Sequence, residues 1–338
     1  MRTSFFLIAV MSVVAWGCSG NSTKESANCQ AVRLIFDSDF GPDYDDVGAL
    51  ALIHALADNG EVEILATVSS NRNELVAPCL EVFNRYFNRP DIPIGATKSE
   101  EAPDHTTWHK VKWTEEIPKR YEHTIAKTSD VPDAVKVYRK ILSEQPDKSV
   151  IICTVGYLTN MKSLLCSTPD EYSDLSGKEL IEKKVKHLVS MAGSFPEGRE
   201  YNVFADLPAS MAVVAQWPTE IYFSGFEIGW NVRTGKGLVN MDVEDSPVKL
   251  VYEMCFAEDD PDGHMSWDQT AALVAVKGYE PYYSIERGIV EVREDSMSIW
   301  QPDEAGNHLR LIEKMPFEEV AGIIDNYMMH QPQKTEFP

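Results

Sequence analysis

The sequence is short of cations, of paired cysteines and of long apolar runs. It carries 31 Lys and Arg residues against 53 Asp and Glu, for a formal net charge of −22. That deficit argues against nucleic acid or an anionic membrane surface as partner, because both need a positive field. Six cysteines (Cys18, Cys29, Cys79, Cys153, Cys166 and Cys255) include no CxxC pair. A disulfide framework is out of place in a chain of 338 residues, and Cys79, Cys153 and Cys255 lie in apolar runs where the thiol acts as a small hydrophobe. Eight histidines form no HExxH motif. The leading apolar run, residues 5–16, is 12 residues long, too short to span a bilayer.

That run belongs to a removable leader, residues 1–30. Arg2 precedes it, and it ends in Ala15-Trp16-Gly17-Cys18, which resembles a bacterial lipoprotein cleavage box with Cys18 as the lipidated residue. The polar residues 19–28 read as a tether. A plain secretory signal cut nearby is the alternative. Both readings place the mature chain outside the cytoplasm, periplasmic or lipid-anchored in a bacterial envelope, and in the lipoprotein reading Cys18 is the sole membrane contact.

From residue 32 onward, apolar strand-like runs alternate with amphipathic helical ones. Residues 32–36, 62–68, 92–95, 150–154, 187–191 and 220–223 read as strands. Residues 47–56, 74–87, 131–142, 158–165, 207–217 and 267–276 read as helices. This alternation calls for a Rossmann-like α/β domain, residues 31–332, with a mostly parallel central sheet flanked by helices. Residues 288–292 and 296–300 predict a small, peripheral antiparallel part near the C-terminus, and residues 317–328 a last helix. Residues 101–128 lack clear periodicity and read as a surface excursion bearing Trp108 and Trp113.

Five aspartates (Asp37, Asp39, Asp43, Asp45 and Asp46) fall within ten residues between the first strand and the first helix. Open α/β sheets bind ligands at the carboxyl ends of their strands, so the cluster stands where chemistry is expected. The start of a helix offsets carboxylate repulsion by only about 0.3–1 kcal/mol per charge. A hard divalent cation is the natural partner, and Ca²⁺ suits several carboxylates and carbonyls better than Mg²⁺.

The run 37–46 followed by Ala49-Leu50 resembles the N-terminal signature of the inosine–uridine-preferring nucleoside hydrolases. Further segments match that family in order: residues 66–71, ending in Asn71; residues 155–160; Glu200-Tyr201-Asn202 with Asp206-Leu207-Pro208; and Trp267-Asp268. The resemblance implies calcium-dependent hydrolysis of the N-glycosidic bond of ribonucleosides or related ribosides to base and ribose. It implies Asp39 as calcium ligand and general base toward a metal-bound water. Asp46, Asp268 and the Val155 carbonyl would complete the metal site, and Asp45, Asn71, Glu200 and Asn202 would hold the sugar. Trp267 stands where many members have His, as in purine-preferring members that stack the base between indoles, with Trp108 or Trp113 as the second ring. A homodimer or homotetramer is admitted as the assembly.

Residues 194–199 show no counterpart to the Asn that many members direct at the 5′ hydroxyl, and Arg199 is unexpected there. His109 and His264 flank the tryptophan loops as candidate acids for the leaving base. Two other readings compete. A calcium-dependent riboside- or sugar-binding lipoprotein would use the same residues without turnover. A haloacid-dehalogenase-like phosphohydrolase would use Asp37 as nucleophile, but Gly41 breaks its pattern and the acidity around it disfavours phosphate.

Overall fold

The computed structural model describes residues 30–260 and 262–332; the leader with Cys18 lies outside the described residues. Twelve strands are present among them: β1 Val32–Ser38, β2 Val62–Ser69, β3 Ile94–Ala96, β4 Val150–Thr154, β5 Val185–Met191, β6 Glu197–Arg199, β7 Glu220–Ser224, β8 Arg233–Thr234, β9 His264–Met265, β10 Tyr283–Val292, β11 Met297–Pro302 and β12 His308–Glu313. Ten form one sheet in the order β3-β2-β1-β4-β5-β7-β12-β10-β11-β6, and β8 pairs with β9 separately. The pairs from β3 through β12 are parallel; β10 and β11 run antiparallel to their neighbours. The result is an α/β fold with a mixed, mostly parallel sheet between helices.

Alternation along the strands explains why both faces are covered. On β1, Leu34 and Phe36 pack into one apolar cluster and Ile35 into the other; on β4, Ile151 and Cys153 oppose Val150 and Ile152 in the same way. A strand buried on both faces reads as a continuous apolar run, which is why β1 and β4 were legible in sequence. Helix Asp45–Asp58 is buried from Asp45 to Leu56 and packs beside helix Trp267–Lys277. Gly48 makes that approach feasible, since a Cβ there would meet Gln269 Nε2 and the Tyr252 hydroxyl at 2.4 Å.

Two expectations change. The C-terminal strands are antiparallel as expected but not peripheral: β10 and β11 extend the main sheet, and β11 pairs with β6 one residue before Glu200. The excursion is not merely surface either, because it contains helix Trp113–Arg120 and buries Trp113 edge-on against Phe40 at 5.6 Å.

Candidate active site

The site is assembled where strands end. Past β1 the chain turns into helix Asp45–Asp58, and the turn is laced from beneath: Ser70 N–H donates to the Ser38 carbonyl (2.9 Å) and Val155 N–H to the Asp37 carbonyl (2.8 Å). Gly156 lets the β4 loop lie against this turn, because a Cβ there would meet Asp39 N at 2.2 Å. Ser38 Oγ donates to Asp46 Oδ1, and Phe40 N–H reaches the same oxygen at 3.2 Å. Asp268, at the start of helix Trp267–Lys277, donates its N–H to Asp45 Oδ2 at 3.0 Å.

These constraints bring four carboxylates together. Asp39, Asp45, Asp46 and Asp268 are each at most 5 % exposed. Oxygens of Asp45, Asp46 and Asp268 lie within 4.8 Å of one another. Burial raises the Asp39 pKa well above the usual carboxylate range, and the charges of Asp46 and Asp45 push it further. Asp45 and Asp268 are likewise raised by burial and neighbouring carboxylates, and Asp46 reaches about 6 despite the Ser38 hydrogen bond. Buried like charges at this spacing persist only with protons or a cation. An all-oxygen set of this density fits a hard divalent metal, and Val155 borders the same cavity.

These carboxylates form the floor of a cavity of about 210 Å³ that is also lined by Trp108, Tyr201, Phe226 and Trp267 and by Glu200 and Asn202. Glu200 caps the short helix Tyr201–Ala205, accepting from Asn202 N–H at 2.7 Å and Val203 N–H at 3.1 Å, and also takes Gly193 N–H at 3.1 Å. Burial lifts its pKa to about 7 against those three donors. Asn202 donates to the Val155 carbonyl at 2.8 Å. Trp267 stacks on Phe226 at 5.3 Å and donates its indole N–H to the Phe226 carbonyl (3.0 Å).

Of the nine residues singled out in sequence, eight border this cavity: Asp39, Asp45, Asp46, Val155, Glu200, Asn202, Trp267 and Asp268. Asn71 does not. It lies beneath, fully buried, with its amide donating to the carbonyls of Asp39 (2.9 Å) and His105 (2.8 Å). Trp108 borders the cavity, whereas Trp113 is core. His109 and His264 sit on Asp43, with their Nε2 atoms 3.1 and 3.0 Å from its Oδ1. Burial would depress His264, but Asp43 and Asp260 outweigh it and raise its pKa to about 10.

Asp37 is fully buried, with its Oδ2 accepting from Tyr138 (2.8 Å) and Asn160 (2.9 Å). A nucleophile needs access to substrate, so the phosphohydrolase reading fails on this residue. Two wall residues, Tyr201 and Phe226, escaped sequence reasoning, as did the buried Tyr157, whose hydroxyl is 3.4 Å from that of Tyr201. Tyr157 and Tyr201 lie inside the matched segments, so their position was legible and their role was not; Phe226 carries no signal of its own.

The profile of the inosine-uridine preferring nucleoside hydrolase family matches residues 34–308. No curated protein matches the chain in sequence. Among solved structures, a plant nucleoside hydrolase superposes with a TM-score of 0.65 at 17 % identity, covering 88 % of this chain and 99 % of its own. The inosine-uridine preferring nucleoside hydrolase of Bacillus anthracis gives 0.64 at 16 % identity, covering 88 % and 99 %. A purine-preferring ribonucleoside hydrolase from Gardnerella vaginalis gives 0.63 at 14 % identity, covering 88 % and 96 %. These likenesses establish a shared fold, and the profile match over most of the chain establishes more: the chain belongs to the inosine-uridine preferring nucleoside hydrolase family, whose members are N-glycosidases.

Proposed function

We propose that the chain hydrolyses the N-glycosidic bond of purine ribonucleosides, releasing ribose and base, with calcium on the floor of the cavity. The observation that carries this reading is that four buried carboxylates and four aromatic side chains line one cavity. Asp39, Asp46, Asp268 and the Val155 carbonyl would hold the ion. Asn202 occupies one lone pair of that carbonyl, which leaves the other free. When bound, calcium supplies a hard Lewis acid that grips sugar hydroxyls and lowers the pKa of water.

The rest is done by side chains. Burial and the neighbouring charges of Asp46 and Asp45 raise the proton affinity of Asp39, which suits it to take a proton from the attacking water. Breaking the bond builds positive charge on the sugar ring, and a carboxylate-lined pocket stabilises that charge as it grows. Asp45 accepts from one sugar hydroxyl, while Glu200 and Asn202 face its far side. The departing base lies between Trp267 and Trp108, where stacking is worth about 1–3 kcal/mol per base. Leader residues 1–30 would deliver this activity to the envelope, with Cys18 as anchor.

The test is ribose release by the mature chain from inosine, guanosine, adenosine, uridine and cytidine, with calcium and with chelator. Calcium-dependent release, fastest with purines, is expected. Calcium-dependent nucleoside binding without release would instead identify a binding lipoprotein.

A further inference from the structure

The β8–β9 ribbon, which stands apart from the main sheet, carries a histidine that the proposed chemistry leaves unused. His264 is 2 % exposed, and one of its ring nitrogens lies within 4.8 Å of carboxylate oxygens of Asp43 and Asp45, which are as close to each other. Both aspartates border the cavity. The nitrogen on the Asp43 side is Nε2, at 3.0 Å from Asp43 Oδ1, yet it has no hydrogen-bond partner among the described residues. Crowding at that oxygen explains why. Tyr44 N–H donates to Oδ1 at 2.9 Å and His109 Nε2–H donates at 3.1 Å, which fills its two lone pairs.

The other side of the ring is held as a metal-binding imidazole is held. Nδ1–H donates to Asp260 Oδ2 at 2.8 Å, and the same oxygen accepts from the Tyr44 hydroxyl at 2.8 Å. The Tyr44 ring stacks on His264 with centroids 3.8 Å apart. A carboxylate behind one ring nitrogen fixes the orientation and raises the basicity of the other, as behind most histidine ligands. Two kinds of cation can sit on Nε2. A proton, which Asp43 and Asp260 favour, needs one acceptor in line, and Oδ1 is already filled. A metal ion displaces that proton and needs only a lone pair from each neighbour, for which Asp43 keeps its Oδ2.

We propose that His264, Asp43 and Asp45 form a second metal site, separate from the calcium floor and suited to a divalent transition cation such as zinc. One imidazole beside two carboxylates is a donor set for zinc-like metals, whereas calcium takes oxygen ligands. The two carboxylates balance the charge of the ion, and three protein ligands leave it a coordination position to spare. Asp45 also belongs to the floor group, where its Oδ2 accepts from Asp268 N–H, so the two sites adjoin. The second site does not depend on the chain being a hydrolase.

The experiment titrates zinc into the calcium-saturated mature chain by calorimetry, with bound metal counted after dialysis, for the parent, H264F and D43N. The parent should take up one zinc beyond its calcium. Both variants should bind zinc at least about tenfold more weakly while still taking up calcium. X-ray absorption at the zinc edge of the parent, which asks no variant to fold, should show one imidazole among oxygen ligands. Zinc bound by H264F within threefold of the parent, zinc that displaces calcium one for one, or a zinc shell with sulfur or without imidazole would each overturn the site. A parent that binds zinc but no calcium contradicts the calcium floor and leaves this site standing.

Discussion

The carboxylate floor of the cavity stands on strand ends and helix starts, whereas its aromatic rim mixes three helix starts, at Tyr201, Phe226 and Trp267, with Trp108 in an irregular segment. Asp39, Asp45, Asp46 and Asp268 are at most 5 % exposed; Ser38 and the Phe40 N–H hold Asp46, and the Asp268 N–H holds Asp45. At the rim, Trp108 is 53 % exposed in an irregular segment. The difference follows from what each does. Charge stabilisation and proton transfer need atoms fixed to fractions of an ångström, while a stacking face tolerates a mobile support. Floor substitutions should therefore strike turnover and metal, and rim substitutions substrate affinity and base preference.

Asp268→Asn should show the largest effect. Ribose release should fall at least about a thousandfold, since it removes a proposed ligand and its charge from the site. The same change relieves repulsion among buried carboxylates, so in chelator the variant should melt a few degrees higher than the parent, while calcium no longer raises its melting temperature. Calorimetric scans with and without calcium check both halves.

Trp267→Ala should come next, losing roughly 10–100-fold in kcat/KM for purine nucleosides and much less for pyrimidine ones. A uniform loss across bases would erase the distinction between floor and rim.

The support beneath the floor can be probed with acid. His54 lies on the helix that begins with Asp45 and Asp46, stacked on Phe87 and bonded to Asn84 at 3.1 Å. Burial, helped by the Arg89 charge, lowers its pKa to about 3, from an ordinary value of 6.5. Between those values the unfolded chain binds a proton that the folded one refuses. The contribution is thus fully present above pH 6.5 and lost as pH falls through the window, at up to about 1.4 kcal/mol per pH unit. Burial gives His187 and His308 the same sign, each lowered to about 4. The raised carboxylates Asp46 and Glu200 slope the opposite way in this window, so His54 is read from the difference: in urea unfolding between pH 4.5 and 6.5, His54→Gln should lower the parent's slope of stability against pH by about one proton's worth.

Trp108→Ala should have the smallest effect, a rise of a few-fold in KM with kcat nearly unchanged, because the exposed ring stays half solvated. A kcat loss as large as that of Asp268→Asn would show that the rim belongs to the catalytic frame.

Legibility in the sequence divides along the same line. The floor was readable because its acids fall in one ten-residue run at a strand end, and because β1 and β4 bury both faces. Asp268 was readable only through its family resemblance, since nothing local says that a helix 222 residues downstream of Asp46 meets it. The rim and the C-terminal strands were poorly readable for a common reason. The insertion of β12 between β7 and β10, and the pairing of β11 with β6, are long-range choices without a local signal. Within residues 101–128, Trp113 proved core and Trp108 rim although both sit in polar surroundings. Asn71 matched a ribose-contacting position in sequence, and its amide donates to the carbonyls of Asp39 and His105.

The most direct test is ribose release from inosine by Asp39→Asn beside the parent chain, at saturating calcium and pH 7. Asn keeps the shape but cannot take a proton from water. The account predicts a kcat at least about a thousandfold below the parent, with the fold intact. Release within tenfold of the parent would contradict it and move the catalytic base elsewhere.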